Sequence, residues 1–60
     1  MQNYLEVFTW QDMSRTRYEA EYDSHDEAVH HLAVSFFVNT PTAIKAELYD
    51  GPELICVLWK

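Results

Sequence analysis

Residues 24–37 read SHDEAVHHLAVSFF, and this stretch decides the fold. Ala28, Val29, Leu32, Ala33, Phe36 and Phe37 recur at the three-and-four spacing that lines one stripe of a helix. Ser24, followed by Glu27, has the spacing of a capping box. Asp26 and Glu27 lie in the first turn, where carboxylates complement the helix dipole. A helix over about His25 to Val38 follows. Asn39-Thr40-Pro41 stops it, because the residue before a proline is driven out of helical backbone angles.

Outward from the helix the hydrophobic period drops to two. Tyr4–Trp10 alternates and is rich in aromatic and branched residues, which predicts a strand. Residues 11–14 carry the turn formers Asp12 and Ser14. Arg15–Tyr22 predicts a second strand, with Thr16, Tyr18, Ala20 and Tyr22 on one face. A four-residue loop would pair Trp10 with Arg15, Phe8 with Arg17 and Val7 with Tyr18. Beyond the helix, Thr42–Tyr49 and Glu53–Trp59 flank an Asp50-Gly51 turn signal. The expected pairing sets Ile44, Ala46 and Leu48 beside Ile55, Val57 and Trp59. The expectation is an α+β ββαββ domain: a four-stranded, mainly antiparallel sheet with one helix on one face. Leu5, Val7, Tyr18, Ala20, Ile44, Ala46, Ile55 and Val57 are expected beneath that helix.

One helix covers one face only. In this reading the other face holds Tyr4, Phe8, Trp10, Leu54, Cys56 and Leu58, mixed with charged residues. Apolar area of that kind marks an interface. The chain has only 60 residues, so a single core of its own is marginal. A homodimer is therefore expected, with Tyr4, Phe8, Leu54, Cys56 and Leu58 at its interface. The plainer reading is a set of scattered surface hydrophobes.

Composition narrows the function classes. The formal net charge is −6, which argues against direct nucleic-acid binding. Cys56 is the only cysteine, so no disulfide staples the chain. No Cys/His spacing resembles a structural zinc site. No stretch is long and apolar enough to span a bilayer, and no signal peptide is evident. A cytoplasmic location is the expectation. His25, His30 and His31 diverge around the helix and read as a solvated polar face rather than as metal ligands. Gly51 is the only glycine, so there is no phosphate-cradling loop. Neither an enzyme nor a cofactor is expected.

Two clusters remain. Arg15, Arg17 and Lys45 share a predicted face with Trp10, Phe8 and Tyr4. Guanidinium groups beside aromatic rings suit phosphates and a stacked base. The bland alternative pairs the arginines with Glu6, Glu19 or Glu47 across strands. The second cluster is the acidic run Glu19, Glu21, Asp23, Asp26 and Glu27. It reads either as a solvated corner or as a negative surface for a basic host protein.

The chain resembles small open reading frames of bacteriophage genomes. The resemblance rests on a hairpin ending in Tyr22-Asp23-Ser24, then Asp26-Glu27-Ala28, a short helix, the Asp50-Gly51 turn and a terminal Trp59. Some proteins of that kind are homodimeric sponges that sequester nucleotide immune signals, including cyclic ADP-ribose derivatives. The resemblance implies a non-enzymatic anti-defence protein that binds a small nucleotide in the host cytoplasm. Trp10, Arg15, Arg17 and Lys45 are the candidate ligand contacts. The alternatives are an acidic inhibitor of a host nuclease or DNA-binding protein, and an interaction module without a ligand.

Overall fold

The structure, a computed structural model, describes all 60 residues. Strand β1 spans Gln2–Trp10 and β2 spans Arg15–Tyr22. Helix α1 spans His25–Val34 and runs into a π-helical turn, Ser35–Asn39. Strands β3, Ala43–Asp50, and β4, Glu53–Trp59, complete one sheet in the order β2-β1-β3-β4. Every neighbouring pair is antiparallel. This is the expected ββαββ domain. Since β2 and β3 both oppose β1, the helix is the crossover that carries the chain over β1.

The helix start follows the sequence signal. Ser24 has extended backbone, and its Oγ accepts the Glu27 N–H at 3.2 Å. The end differs from a plain α-helix. The π-helical turn buries Phe36 completely but leaves Phe37 54% exposed, so the stripe loses its last member. Thr40 Oγ1 closes the turn by donating to the carbonyls of Ser35 and Phe36. Ala28, Leu32 and Phe36 enter a core with Tyr4, Phe8, Ala43, Ala46 and Leu48. Each fully buried Leu or Phe is worth roughly 1.5–3 kcal/mol.

Two one-residue slips overturn the expected face beneath the helix. In the first hairpin, Thr9 pairs with Arg15, Phe8 with Thr16 and Val7 with Arg17. The loop is one residue shorter than expected. The Trp10 N–H donates to the Ser14 carbonyl at 2.9 Å, and Met13 N–H donates to the Trp10 carbonyl. Met13 takes the left-handed position of this tight loop, at φ 70°. Asp12 Oδ1 accepts from both the N–H and the hydroxyl of Ser14, which holds its carboxyl below the usual carboxylate range.

In the second hairpin, Asp50 pairs with Glu53 and Tyr49 with Leu54, but Leu48 then pairs with Cys56 and Ala46 with Leu58. A bulge absorbs Ile55. Because side chains alternate with a period of two, a shift of one residue exchanges the faces of a strand. The expected helix-facing residues Tyr18, Ala20 and Ala46 keep their side. Those of β1 exchange Leu5 and Val7 for Tyr4 and Phe8. Those of β4 exchange Val57 for Cys56 and Leu58, while Ile55 still packs against the core from the bulge. Ile44 also sits at an irregularity, between the Thr9–Lys45 and Trp10–Ala43 pairs, and Ala43 takes the core position.

Candidate functional site

The registers define the face that no helix covers. One row across β2, β1, β3 and β4 reads Arg15, Thr9, Lys45, Trp59. The next reads Arg17, Val7, Glu47, Val57. The third reads Glu19, Leu5, Tyr49, Leu54. Arg15, Arg17 and Lys45 therefore do share a face, as expected from the sequence. Trp10 does not join them. It packs against the covered core, and its Nε1 donates to Thr16 Oγ1 at 2.8 Å. The aromatic partners of the cations are Tyr49 and Trp59 instead.

The expected interface residues divide in the same way. Tyr4 and Phe8 are 2% and 3% exposed, and Cys56 and Leu58 pack against the core beneath the helix. The helix already accounts for their apolar character. Leu54 alone of that set is well exposed, at 48%. With Val57 and Trp59 it forms an apolar strip on β4, an edge strand.

A shallow depression of about 240 Å³ opens on the uncovered face. Leu5 and Val7 form its apolar floor, Arg15 and Arg17 one side, Glu47 and Tyr49 the other. Gly51 and Pro52, at the tip of the second hairpin, close an end. Gly51 adopts φ 58°, which this tight turn requires. Neither arginine forms an ion pair, in contrast to Lys45, whose Nζ lies 3.8 Å from Glu47 Oε1. Lys45 also sits 4.8 Å from the Trp59 ring centre, a cation–π contact.

The Tyr49 hydroxyl donates to Glu47 Oε2 at 2.6 Å. That bond, then burial and the Glu47 charge, push the Tyr49 phenol above its ordinary range, while Arg15 and Arg17 pull the other way. The guanidinium groups thus act on the same small volume as the phenol. Thr9 lies between Arg15 and Lys45 in the first row. It is 4% exposed, and its hydroxyl has no hydrogen-bond partner. A buried hydroxyl left this way costs about 1–3 kcal/mol.

The histidines do not converge. His25 Nδ1 shares a hydrogen with the Tyr4 hydroxyl at 2.7 Å, and its Nε2 lies 3.8 Å from Asp50. His31 stacks on Tyr22 at 5.2 Å between ring centres. No group of three or more His, Cys, Asp or Glu is placed to hold a metal. The acidic corner is fully surface-borne: Glu19, Glu21, Asp23, Asp26 and Glu27 are all exposed, and none is paired with a cation.

Sequence reasoning placed the arginines but missed Tyr49, Trp59 and Thr9. Lys45 and Tyr49 alternate at even spacing on β3, so the signal for Tyr49 was present. Only the bulge at Ile55 brings Trp59 onto the face of Lys45. No helix is long and apolar enough to cross a membrane. No protein-family model matches the chain, and no curated protein or solved structure matches it either.

Proposed function

We propose that this protein is a non-enzymatic, homodimeric capture protein of bacteriophage type that sequesters a small nucleotide signal on its uncovered sheet face. The carrying observation is the pair Arg15 and Arg17, free of ion pairs in a molecule of formal charge −6 and flanking one depression with Tyr49. An unpaired arginine fork is suited to bidentate phosphate binding. Tyr49 offers a ring for a base, and Lys45 a further cation on the same face. The exposed strip Leu54, Val57 and Trp59 on the β4 edge supplies the dimer contact, and leaves the arginines free at the opposite end of the rows.

Thermal-shift measurements against cyclic nucleotides and ADP-ribose isomers test the reading. A ligand at about 100 times its Kd adds about 2.7 kcal/mol to stability. Replacing both Arg15 and Arg17 with alanine abolishes the shift. A flat response across the panel removes the ligand, and sedimentation as a monomer at micromolar concentration removes the dimer.

The acidic corner supports a second reading, an inhibitor that occupies the basic groove of a host nuclease or DNA-binding protein. Five exposed carboxylates without cationic partners carry it. Such binding weakens steeply with salt and survives the arginine substitutions.

A further inference from the structure

On the helix-covered side, a second groove of about 290 Å³ runs between β2 and the π-helical turn. Glu6, Phe8, Tyr18, Ser35, Asn39 and Thr40 line it. Glu6 is only 7% exposed. Its sole hydrogen-bond partner is the Tyr22 hydroxyl, which donates to Oε2 at 2.9 Å, and no cation lies within ion-pair distance. A neutral phenol supplies one hydrogen bond and no compensating charge, and a buried carboxylate needs both.

The surroundings favour a cation. Phe8 and Tyr18 meet edge to face at 5.7 Å and wall the groove with aromatic surface, which attracts cations through its π-faces. The carboxyl end of the helix, carrying partial negative charge, ends beside it. Lys60 is the cation bound to this end of the helix, and it is already engaged. Its Nζ donates to the Thr40 carbonyl at 2.6 Å and sits 4.7 Å from the Phe36 ring centre.

We infer that this groove is a binding site for a small primary alkylammonium, with Glu6 as counter-ion and Phe8 and Tyr18 as walls. The apolar rings take the alkyl body. The free Oε1 of Glu6 accepts from the ammonium while Tyr22 holds Oε2 and fixes the carboxylate plane. Ser35 and Asn39 offer side-chain oxygens at the opposite wall. The same chemistry is carried by a free amine and by a lysine side chain of a partner protein. The site is on the other side of the sheet from Arg15 and Arg17, so it stands or falls separately from nucleotide capture.

The experiment is an amide NMR titration of the intact protein with n-butylammonium chloride, against n-butanol and against sodium chloride at equal ionic strength. Saturable shifts are expected at Glu6, Phe8, Tyr18 and Asn39, with Kd on the order of 10 mM for so few ligand atoms. Glu6→Gln keeps the acceptor for Tyr22 and should weaken binding about tenfold, as loss of a charge-assisted hydrogen bond does. Tyr18→Ala removes a wall that is 48% exposed, so it tests the site even where Glu6→Gln perturbs folding. A parallel titration with N-acetyl-lysine methylamide separates the two sources. Binding of both points to a partner's lysine, and binding of butylammonium alone to a free amine. Equal shifts from n-butanol, or an affinity unchanged in both variants, overturn the site.

Discussion

The covered and uncovered faces of one sheet are made from alternate residues of the same strands, and they finish their interactions differently. Beneath the helix, the polar atoms of Tyr4, Trp10 and Tyr22 are engaged. Tyr4 bonds Gln2 and His25, Trp10 bonds Thr16, and Tyr22 bonds Glu6. On the other face, Arg15 and Arg17 have no ion pair, the Thr9 hydroxyl has no partner, and Trp59 is 62% exposed. The covered face is completed by its own chain. The uncovered face keeps two arginines and a hydroxyl that the chain itself leaves without a partner. Glu6 is the exception on the covered side, a charge with one neutral partner.

The largest effect should come from the covered face. Leu32 is wholly buried, so Leu32→Ala should cost about 2–5 kcal/mol in urea unfolding. For so small a domain that removes much or all of the native population. Survival of a cooperative transition at its original midpoint would deny the helix its role as the cover of that face.

Tyr22 gives a smaller, pH-dependent loss. Burial, then the bond to Glu6 and the charges of Glu6 and Glu27, push its phenol up to about 12. The folded state therefore favours the protonated phenol. Its contribution is complete below the unfolded value near pH 10 and is lost as pH rises from there through about 12. Tyr22→Phe should flatten that part of the stability curve, measured by unfolding at successive alkaline pH values.

Met13 is the one non-glycine residue with positive φ. Left-handed backbone costs an L-residue about 1–2 kcal/mol, and glycine returns part of that gain as unfolded-chain entropy. Met13→Gly should thus stabilise by about 0.5–1 kcal/mol, read from the urea midpoint. A destabilised variant would mean that the three-residue loop is not what sets the faces.

The smallest effect on unfolding belongs to the uncovered face. Trp59→Ala should change monomer stability by only about 0.5–1 kcal/mol, the scale of its exposed contact with Lys45. In the proposed dimer its sedimentation behaviour should change far more, toward the monomer. Strong destabilisation without any change in association would make Trp59 a core residue rather than a contact for a partner.

Part of this was legible in the sequence. Ser24, the apolar stripe and Pro41 marked the helix, and period-two alternation with Asp50-Gly51 marked the strands. The shared face of Arg15 and Arg17 followed from that alternation alone, since both lie on one strand. Which β1 residues accompany them did not follow. Methionine has no preference for left-handed backbone, so nothing in Gln11-Asp12-Met13-Ser14 announced a loop of three residues instead of four. Ile55 likewise looks like any strand residue, yet it is the one skipped by the pairing.

By itself, then, the sequence determined the elements and their order, because local spacing, caps and turn formers act over a few residues. It also determined the polar row of β2. Only the tertiary structure decided which side of β1 and β4 the helix would cover. A single residue of register exchanges the faces of a strand at little local cost, and the competition is settled by packing: Tyr4, Phe8, Leu48 and Leu58 fill the space under Leu32 and Phe36. That choice packed Trp10 against the core and put Trp59 beside Lys45 on the uncovered face.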